Sequence, residues 1–244
     1  MVTRVARRAE RKQRLTRERV LQAALAIADE AGIDALTMRS TSERLGSEPM
    51  SLYRHVRNKE DMLDGLVDLV FGEVALPRSA ADWKRAMRQR AIAVREVLSR
   101  HPWAVALMES RVTPGAENLR HHEWVVGVLR GAGFSGADAT HAYNALDSYI
   151  YGFALQERNL PFKNAEELAE IGPMLLRQIP ADVYPHFRAV SEELLAARFD
   201  YGKEFEFGLD LLLDGIARMR SASGPAAGAA RRSATTTRST HEKA

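Results

Sequence analysis

Two residues with special backbones, Gly46 and Pro49, constrain the stretch 37–59 (TMRSTSERLGSEPMSLYRHVRNK) more tightly than anything else in the chain. Gly46 supplies the permissive backbone of a sharp turn. It closes a helix that Thr37 is placed to cap and that carries Met38, Thr41 and Leu45. Pro49 suits the first turn of a helix, where its missing N–H costs nothing. A second helix therefore opens at once, with Met50, Ser51, Leu52, Tyr53, Arg54 and His55. Barely two turns long, it must be held by its neighbours. Asn58 then caps a third helix whose first turn holds Glu60 and Asp61. Helix, glycine turn and short basic helix is the pattern of a DNA-binding helix-turn-helix, and an ordinary helical hairpin shares the spacing.

The charge distribution favours the nucleic-acid reading. Residues 1–60 hold thirteen Lys/Arg against eight Asp/Glu, whereas residues 61–220 hold eighteen against twenty-three. A basic head on an acidic body implies that the head alone meets a polyanion. The first fourteen residues, MVTRVARRAERKQR, have no apolar pattern and read as a disordered arm. Such an arm either follows a DNA groove or merely solvates the terminus. It lacks the apolar core of a secretory signal, and no stretch is apolar enough to span a bilayer, so a cytoplasmic protein is expected. The absence of cysteine excludes disulfides, thiolate nucleophiles and Cys-based zinc sites.

Helical periodicity continues along the chain, and no strand pattern competes with it. Thr16 caps a helix over 15–31 with Val20, Ala24, Ile27 and Ala31 on one face, closed by Gly32. After the helix from Asn58, the segment LPRSAAD reads as a linker. Helices are expected over 82–99, 101–108, 113–131, 137–156, 183–199 and 205–219. Residues 158–180, with Pro161, Pro173 and Pro180, read as the least regular part, and 221–244 as a low-complexity disordered tail. The expected organisation is an all-α protein: a disordered arm to residue 14, a helix-turn-helix head over 15–75, a larger helical domain over 82–220, and the tail. The helices near 137–156 and 205–219 carry more apolar surface than one face needs, so they are either fully buried or the interface of a homodimer. Two-fold symmetry suits a palindromic operator.

ALTMRS, RLG and SLYRHVRNKEDML, read together, resemble the DNA-binding domain of the tetracycline repressor (TetR) family over residues 15–75. LSRHPWAVAL, LRGAGFS and FEFGLDLLLDGI resemble, more weakly, its C-terminal domain. The resemblance implies an all-α homodimer with a ligand-binding and dimerisation core, binding double-stranded palindromic DNA and released by a small organic inducer. It places Arg39 at a base edge, where its fork suits guanine, and sets Pro49, Met50 and Ser51 against bases. Thr37, Tyr53, Arg54, His55 and Lys59 would hold phosphates, while Leu52 and Val56 fall in the core. Thr41, Ser42 and Ser47 stand where the family has Leu, Ala and an apolar turn residue. Hydroxyls at that seam need partners, and the head is expected to be softer by about 1–3 kcal/mol.

For the inducer, the resemblance sets Met108 at the position of a metal-ligating His and Gln156 at that of a Glu, with Ala75, Arg90, Val94, Arg111 and Val125 at other drug-contacting positions. What the side chains offer is an apolar pocket of Val94, Trp103, Met108, Val125, Tyr149 and Phe153, with Arg90, Arg111, Asn144 and Gln156 as polar anchors; the same aromatics and Met also serve as plain core. No cofactor or metal is expected. His121-His122-Glu123 lacks the spacing of a metal hydrolase, and no phosphate loop or nucleophile framework accompanies it, so the chain is not read as an enzyme. A constitutive DNA binder with a vestigial pocket is the rival to an inducible one.

Methionine is no ligand for a hard cation, and an amide brings no charge to offset Mg²⁺. Calorimetry with tetracycline and Mg²⁺ is therefore expected to show no tight, metal-dependent binding; a strong metal-dependent signal would overturn the loss of the chelate site.

Overall fold

The computed structural model describes residues 14–108, 110–111 and 113–222. The expected disordered arm and tail lie outside the described residues but for Arg14, Ser221 and Ala222. The described residues form eleven α-helices and no strand. They are α1 (Arg17–Ala31), α2 (Met38–Arg44), α3 (Pro49–Leu52), α4 (Lys59–Gly72), α5 (Trp83–Arg100), α6 (Val105–Met108), α7 (Ala116–Gly131), α8 (Gly136–Arg158), α9 (Ala165–Arg177), α10 (Pro185–Ala196) and α11 (Tyr201–Ala222). The all-α architecture follows the periodicity. Two compact units result, one of Met1–Glu73 with Arg100–Leu119, the other of Val74–Ser99 with Arg120–Ala244.

In the first unit, side-chain caps set the helix starts. Thr16 accepts the Arg19 N–H and opens α1. Thr37 and Ser40 exchange side-chain and backbone bonds at 2.9 Å each, a reciprocal capping box that starts α2. Asn58 accepts the Asp61 N–H at 2.8 Å and starts α4. Between α2 and α3, Gly46 takes φ +59°, a left-handed conformation that disfavours other residues. Gly65 lets α4 approach α1 closely, because a Cβ there would stand 2.7 Å from the Leu21 side chain. The core gathers Val20, Ala24, Leu36, Leu52, Val56, Met62, Leu66 and Val70, all within a few percent of complete burial. The second helix of the motif is shorter than its composition suggests. It stops at Leu52, and Tyr53–His55 form a turn in which His55 N–H and Val56 N–H both bond the Leu52 carbonyl.

The seam hydroxyls are handled unequally. Thr41, fully buried, bonds the Thr37 carbonyl at 2.8 Å, and Ser42 bonds the Arg39 carbonyl at 2.8 Å. Both are satisfied by the backbone of their own helix, so the seam is less short of partners than the sequence suggests. The Ser47 Oγ is buried without a hydrogen-bond partner.

In the second unit, α8 and α11 pack along each other. α8 buries Leu146, Ile150 and Phe153 and α11 buries Phe205, Leu209 and Leu213, with the Phe205 ring edge-on to Phe153 at 5.0 Å and stacked on Tyr149 at 5.5 Å. Arg88 of α5 reaches Glu206 and Asp210, and Lys84 reaches Asp214, so a charged seam joins α5 to α11. Phe207 and Leu211 of α11 remain about 60% exposed. Residues 158–180 are more regular than their prolines suggest. Asn164 caps α9, Leu168, Gly172 and Leu175 recur at helical spacing, and α10 packs against that face. Pro173 sits inside α9, where it removes one backbone bond.

An unpaired buried hydroxyl costs about 1–3 kcal/mol. Ser47→Ala is therefore expected to raise the head's unfolding free energy by about 1 kcal/mol, read as a higher midpoint in urea at unchanged slope; a lower midpoint would show that the hydroxyl has a partner in solution.

Candidate functional site

The first unit presents one face built by the helix-turn-helix. Pro49 starts α3 with no N–H to satisfy, and Met50 beside it is 74% exposed. Ser51 turns its hydroxyl back onto the Glu48 carbonyl at 2.6 Å. Leu52 and Val56 alternate inward and anchor the segment in the core. Tyr53 and Arg54 stay exposed, while His55 and Lys59 are half-buried. Thr37 caps the neighbouring α2 and Arg39 lies on it, both exposed, with Arg39 Nε donating to Glu43 at 2.8 Å. Of the nine residues proposed for DNA contact, Thr37 caps α2 and Arg39 lies on it, Pro49, Met50 and Ser51 form α3, Tyr53, Arg54 and His55 lie in the turn after it, and Lys59 opens α4.

What fixes this face was not singled out in the sequence. Asp61, in the first turn of α4, accepts from Arg17 of α1 at 2.8 and 3.1 Å and from the Arg57 backbone N–H at 2.8 Å. Arg17 also donates to the His55 carbonyl at 3.0 Å. The bond from Arg17, assisted by that from Arg57 against the cost of burial, holds the Asp61 carboxyl below its ordinary range. The acidic start of α4 was legible; its partner 44 residues earlier was not. A second ion pair, Arg44 with Glu30 at 2.6 and 2.7 Å, ties α2 to α1.

The residues proposed for a ligand are distributed over both units. Trp103, Met108 and Arg111 belong to the first. Trp103 Nε1 donates to Asp29 at 2.7 Å, Met108 is buried, and Arg111 donates to Asp64 at 2.6 Å and Glu60 at 2.8 Å. His101, buried beside them, has Asp29 2.7 Å from Nδ1 and Glu73 3.1 Å from Nε2. Arg90, Val94, Val125, Asn144, Tyr149 and Gln156 belong to the second. Val94 and Val125 are core, Asn144 is exposed, the Tyr149 hydroxyl donates to the Phe205 carbonyl, and Gln156 accepts from Tyr201. Arg90 is wholly buried. Its Nε donates to His121 Nε2 at 2.9 Å, its Nη2 lies 2.6 Å from Asp147, and its Nη1 has no hydrogen-bond partner. Accepting at Nε2 places the neutral His121 proton on Nδ1.

A cavity of about 610 Å³ opens elsewhere in the second unit, between α9, α10 and the start of α11. Leu168, Leu175, Ile179, Phe187, Leu195 and Phe199 supply apolar walls, and Gln178, Ser191 and Tyr201 supply polar atoms. No charged side chain lines it. The size and lining suit a mainly apolar small molecule. None of the nine residues above lines this cavity. Its walls come largely from the segment that the prolines made look irregular, which is why periodicity overlooked it.

Two family models match. "Bacterial regulatory proteins, tetR family" covers residues 20–66, and "Tetracyclin repressor-like, C-terminal domain" covers 76–220. The HTH-type transcriptional repressor DrrR1 of Streptomyces coeruleorubidus is 32% identical over 227 residues, spanning 88% of this chain and 83% of that protein. The class A tetracycline repressor from transposon 1721 of Escherichia coli is 30% identical over 216 residues, spanning 86% and 95%. Among solved structures, Streptomyces coelicolor ActR in complex with actinorhodin superposes with a TM-score of 0.70 at 25% identity, covering 88% of this chain and 99% of that one.

Burial first, then the Arg90 charge, then His122 and Arg120, push the His121 pKa down to about 2. An unfolded histidine titrates near 6.5, so below that pH the unfolded chain takes up a proton the native state refuses. Stability is full above about pH 6.5 and falls with pH, by up to about 1.4 kcal/mol per unit from this group. Urea unfolding between pH 7 and 5 is expected to show a flatter acid slope for His121→Gln than for the wild type; equal slopes would mean that His121 takes up its proton in the native state too.

Proposed function

This chain belongs to the tetR family of bacterial regulatory proteins, and on that footing we propose that it is a repressor released from a palindromic operator by a small molecule. Members of this family are DNA-binding regulators rather than enzymes. The observation that carries the reading is the helix-turn-helix face, where exposed Arg39, Met50, Tyr53 and Arg54 stand on a buried Leu52–Val56 anchor. Arg39 would read a guanine through its fork, and Pro49, Met50 and Ser51 would meet base edges, Met50 suiting a thymine methyl. Thr37, Tyr53, Arg54, His55 and Lys59 would bind phosphates and set register.

Palindromic DNA calls for a two-fold assembly, with half-sites about one helical turn apart. The exposed Phe207 and Leu211 of α11 and Leu155 of α8 support a homodimer through those two helices, since aromatic and aliphatic groups concentrate in the core of homodimer interfaces. No helix is long and apolar enough to cross a membrane among the described residues, and we assign the protein to the cytoplasm, where its DNA is.

The ligand-binding part of the proposal rests on the second unit. ActR, similar in fold, is solved in complex with actinorhodin. The apolar cavity of this chain would take a molecule of mainly apolar surface, oriented by Gln178, Ser191 and Tyr201. Gln156 is tied to the cavity wall through the Tyr201 hydroxyl. Arg90, Val94, Val125, Asn144 and Tyr149 remain candidates within the same unit, and Trp103, Met108 and Arg111 within the first. Such a ligand induces only if it prefers the DNA-incompetent state, so operator must weaken ligand binding as much as ligand weakens operator binding.

Footprinting on DNA flanking the protein's own gene is expected to reveal a palindrome with half-sites about one turn apart. On that site Arg39→Ala is expected to cost about 1–3 kcal/mol and relax base preference, whereas Lys59→Ala weakens all sequences alike and lowers the salt slope by about one. Equal losses for Arg39→Ala on specific and random DNA would remove its role as a reader.

A further inference from the structure

Arg39 is the most specific reader in the proposed interface, yet its long side chain projects from α2 into water, 85% exposed. One contact orients it: Nε donates to Glu43 Oε1 at 2.8 Å, one helical turn further along the same face. Glu43 is itself largely exposed, so the pair adds little to the stability of the fold. Its geometry is more informative. The bond occupies the Nε edge of the guanidinium, while Nη1 and Nη2 make no hydrogen bond among the described residues. That free end carries the two parallel donors that match O6 and N7 of guanine. Ser42 adds a bond from its hydroxyl to the Arg39 carbonyl, fixing the backbone from which the side chain departs.

We propose that Glu43 is a positioning residue for sequence recognition, buttressing Arg39 so that its terminal nitrogens face a guanine; this rests on Arg39 being a reader. Two physical effects follow. Holding a rotamer-rich side chain in its bound geometry lowers the ordering cost of binding to the correct site. A carboxylate on a DNA-facing helix also repels phosphate wherever Arg39 lacks its guanine, which penalises random sequence. Glu43 therefore trades overall affinity for discrimination. A plain solvated i, i+4 ion pair would do neither.

The test uses the full-length protein and duplexes that the wild type selects from a randomised pool, each paired with a duplex in which the guanine assigned to Arg39 is replaced, and with random DNA. Glu43→Ala is expected to lower the ratio of specific to random affinity by about two- to tenfold. Part of that change comes from tighter binding to random DNA, the direction opposite to that of a damaged fold. Glu43→Gln keeps an acceptor for Nε and is expected to restore most of the guanine preference while still binding random DNA more tightly than the wild type. In an Arg39→Ala background, Glu43→Ala should leave the guanine preference unchanged. If Glu43→Ala keeps the wild-type ratio, or Glu43→Gln fails to restore the preference for the guanine duplex over its replaced partner, the positioning role is overturned. If Arg39→Ala itself keeps the ratio, the reading of Arg39 fails instead, and the two failures are distinct.

Discussion

A recognition helix of a single turn has no stability of its own, and the knot of bonds around Asp61 supplies what α3 lacks. Leu52 and Val56 fix its depth in the core, but apolar anchors alone leave a segment free to rotate. Arg17 prevents this by gripping the Asp61 carboxylate and the His55 carbonyl together, so the chain leaving α3 is tied to α1 and α4 at one point. The Arg57 N–H and the Asn58 cap close the knot. Tyr53, Arg54 and His55 owe their presentation to it, since they lie in the turn between the buried anchor and the tied carbonyl. Charge-assisted bonds of this kind have steeper geometry than apolar contacts, which suits a surface that must match DNA to a fraction of an ångström.

The second unit uses a charge differently. Arg90 is buried with Asp147 and His121 rather than exposed to a partner. Desolvating a guanidinium and a carboxylate costs several kcal/mol, and their attraction does little more than offset it. The benefit is positional: Arg90 on α5 is bound to α7 through His121 and to α8 through Asp147, so a slip of any one helix strands a buried charge. Apolar packing between long helices is tolerant of such slips, whereas these three polar side chains join three helices at one point.

Much of this was legible because it depends on neighbours in sequence. Thr16, Thr37 and Asn58 announce their helices through caps reaching three residues on, and Gly46 with Pro49 announces the turn. The burial of Leu52 and Val56 and the outward place of Met50 were legible through the resemblance to the tetR family, and the structure buries the first two and exposes the third. Illegible were the features whose partners are distant. Nothing near Arg17 points to Asp61, and nothing near Arg90 points to Asp147, because periodicity gives the face of a helix and not what covers it. Two local features depart from the sequence pattern for physical reasons. The motif's second helix read as longer because Tyr53, Arg54 and His55 are compatible with helix, yet the bonds at Leu52 tighten into a turn. Residues 158–180 read as irregular because prolines outweighed the cap at Asn164 and the apolar spacing behind it. The cavity was lost with them.

The energetics of release set a bound on what a ligand must do if, as proposed, it occupies that cavity. Turning operator occupancy from 99:1 to 1:99 takes a differential of about 5.5 kcal/mol between the two states. If both subunits of a dimer bind ligand, each contributes half, about 2.7 kcal/mol. At about 25 cal/mol per Å² of apolar area, that equals roughly 110 Å² more surface buried in the released state than in the DNA-bound one. A molecule filling a cavity of about 610 Å³ with apolar walls has that much area to spare. No new ion pair or metal chelate is required of the ligand, only that α9 and α10 close on it more fully in one state than in the other. Induction by apolar contact alone is thus energetically sufficient, and the uncharged side chains of Met108 and Gln156 are compatible with an inducible protein.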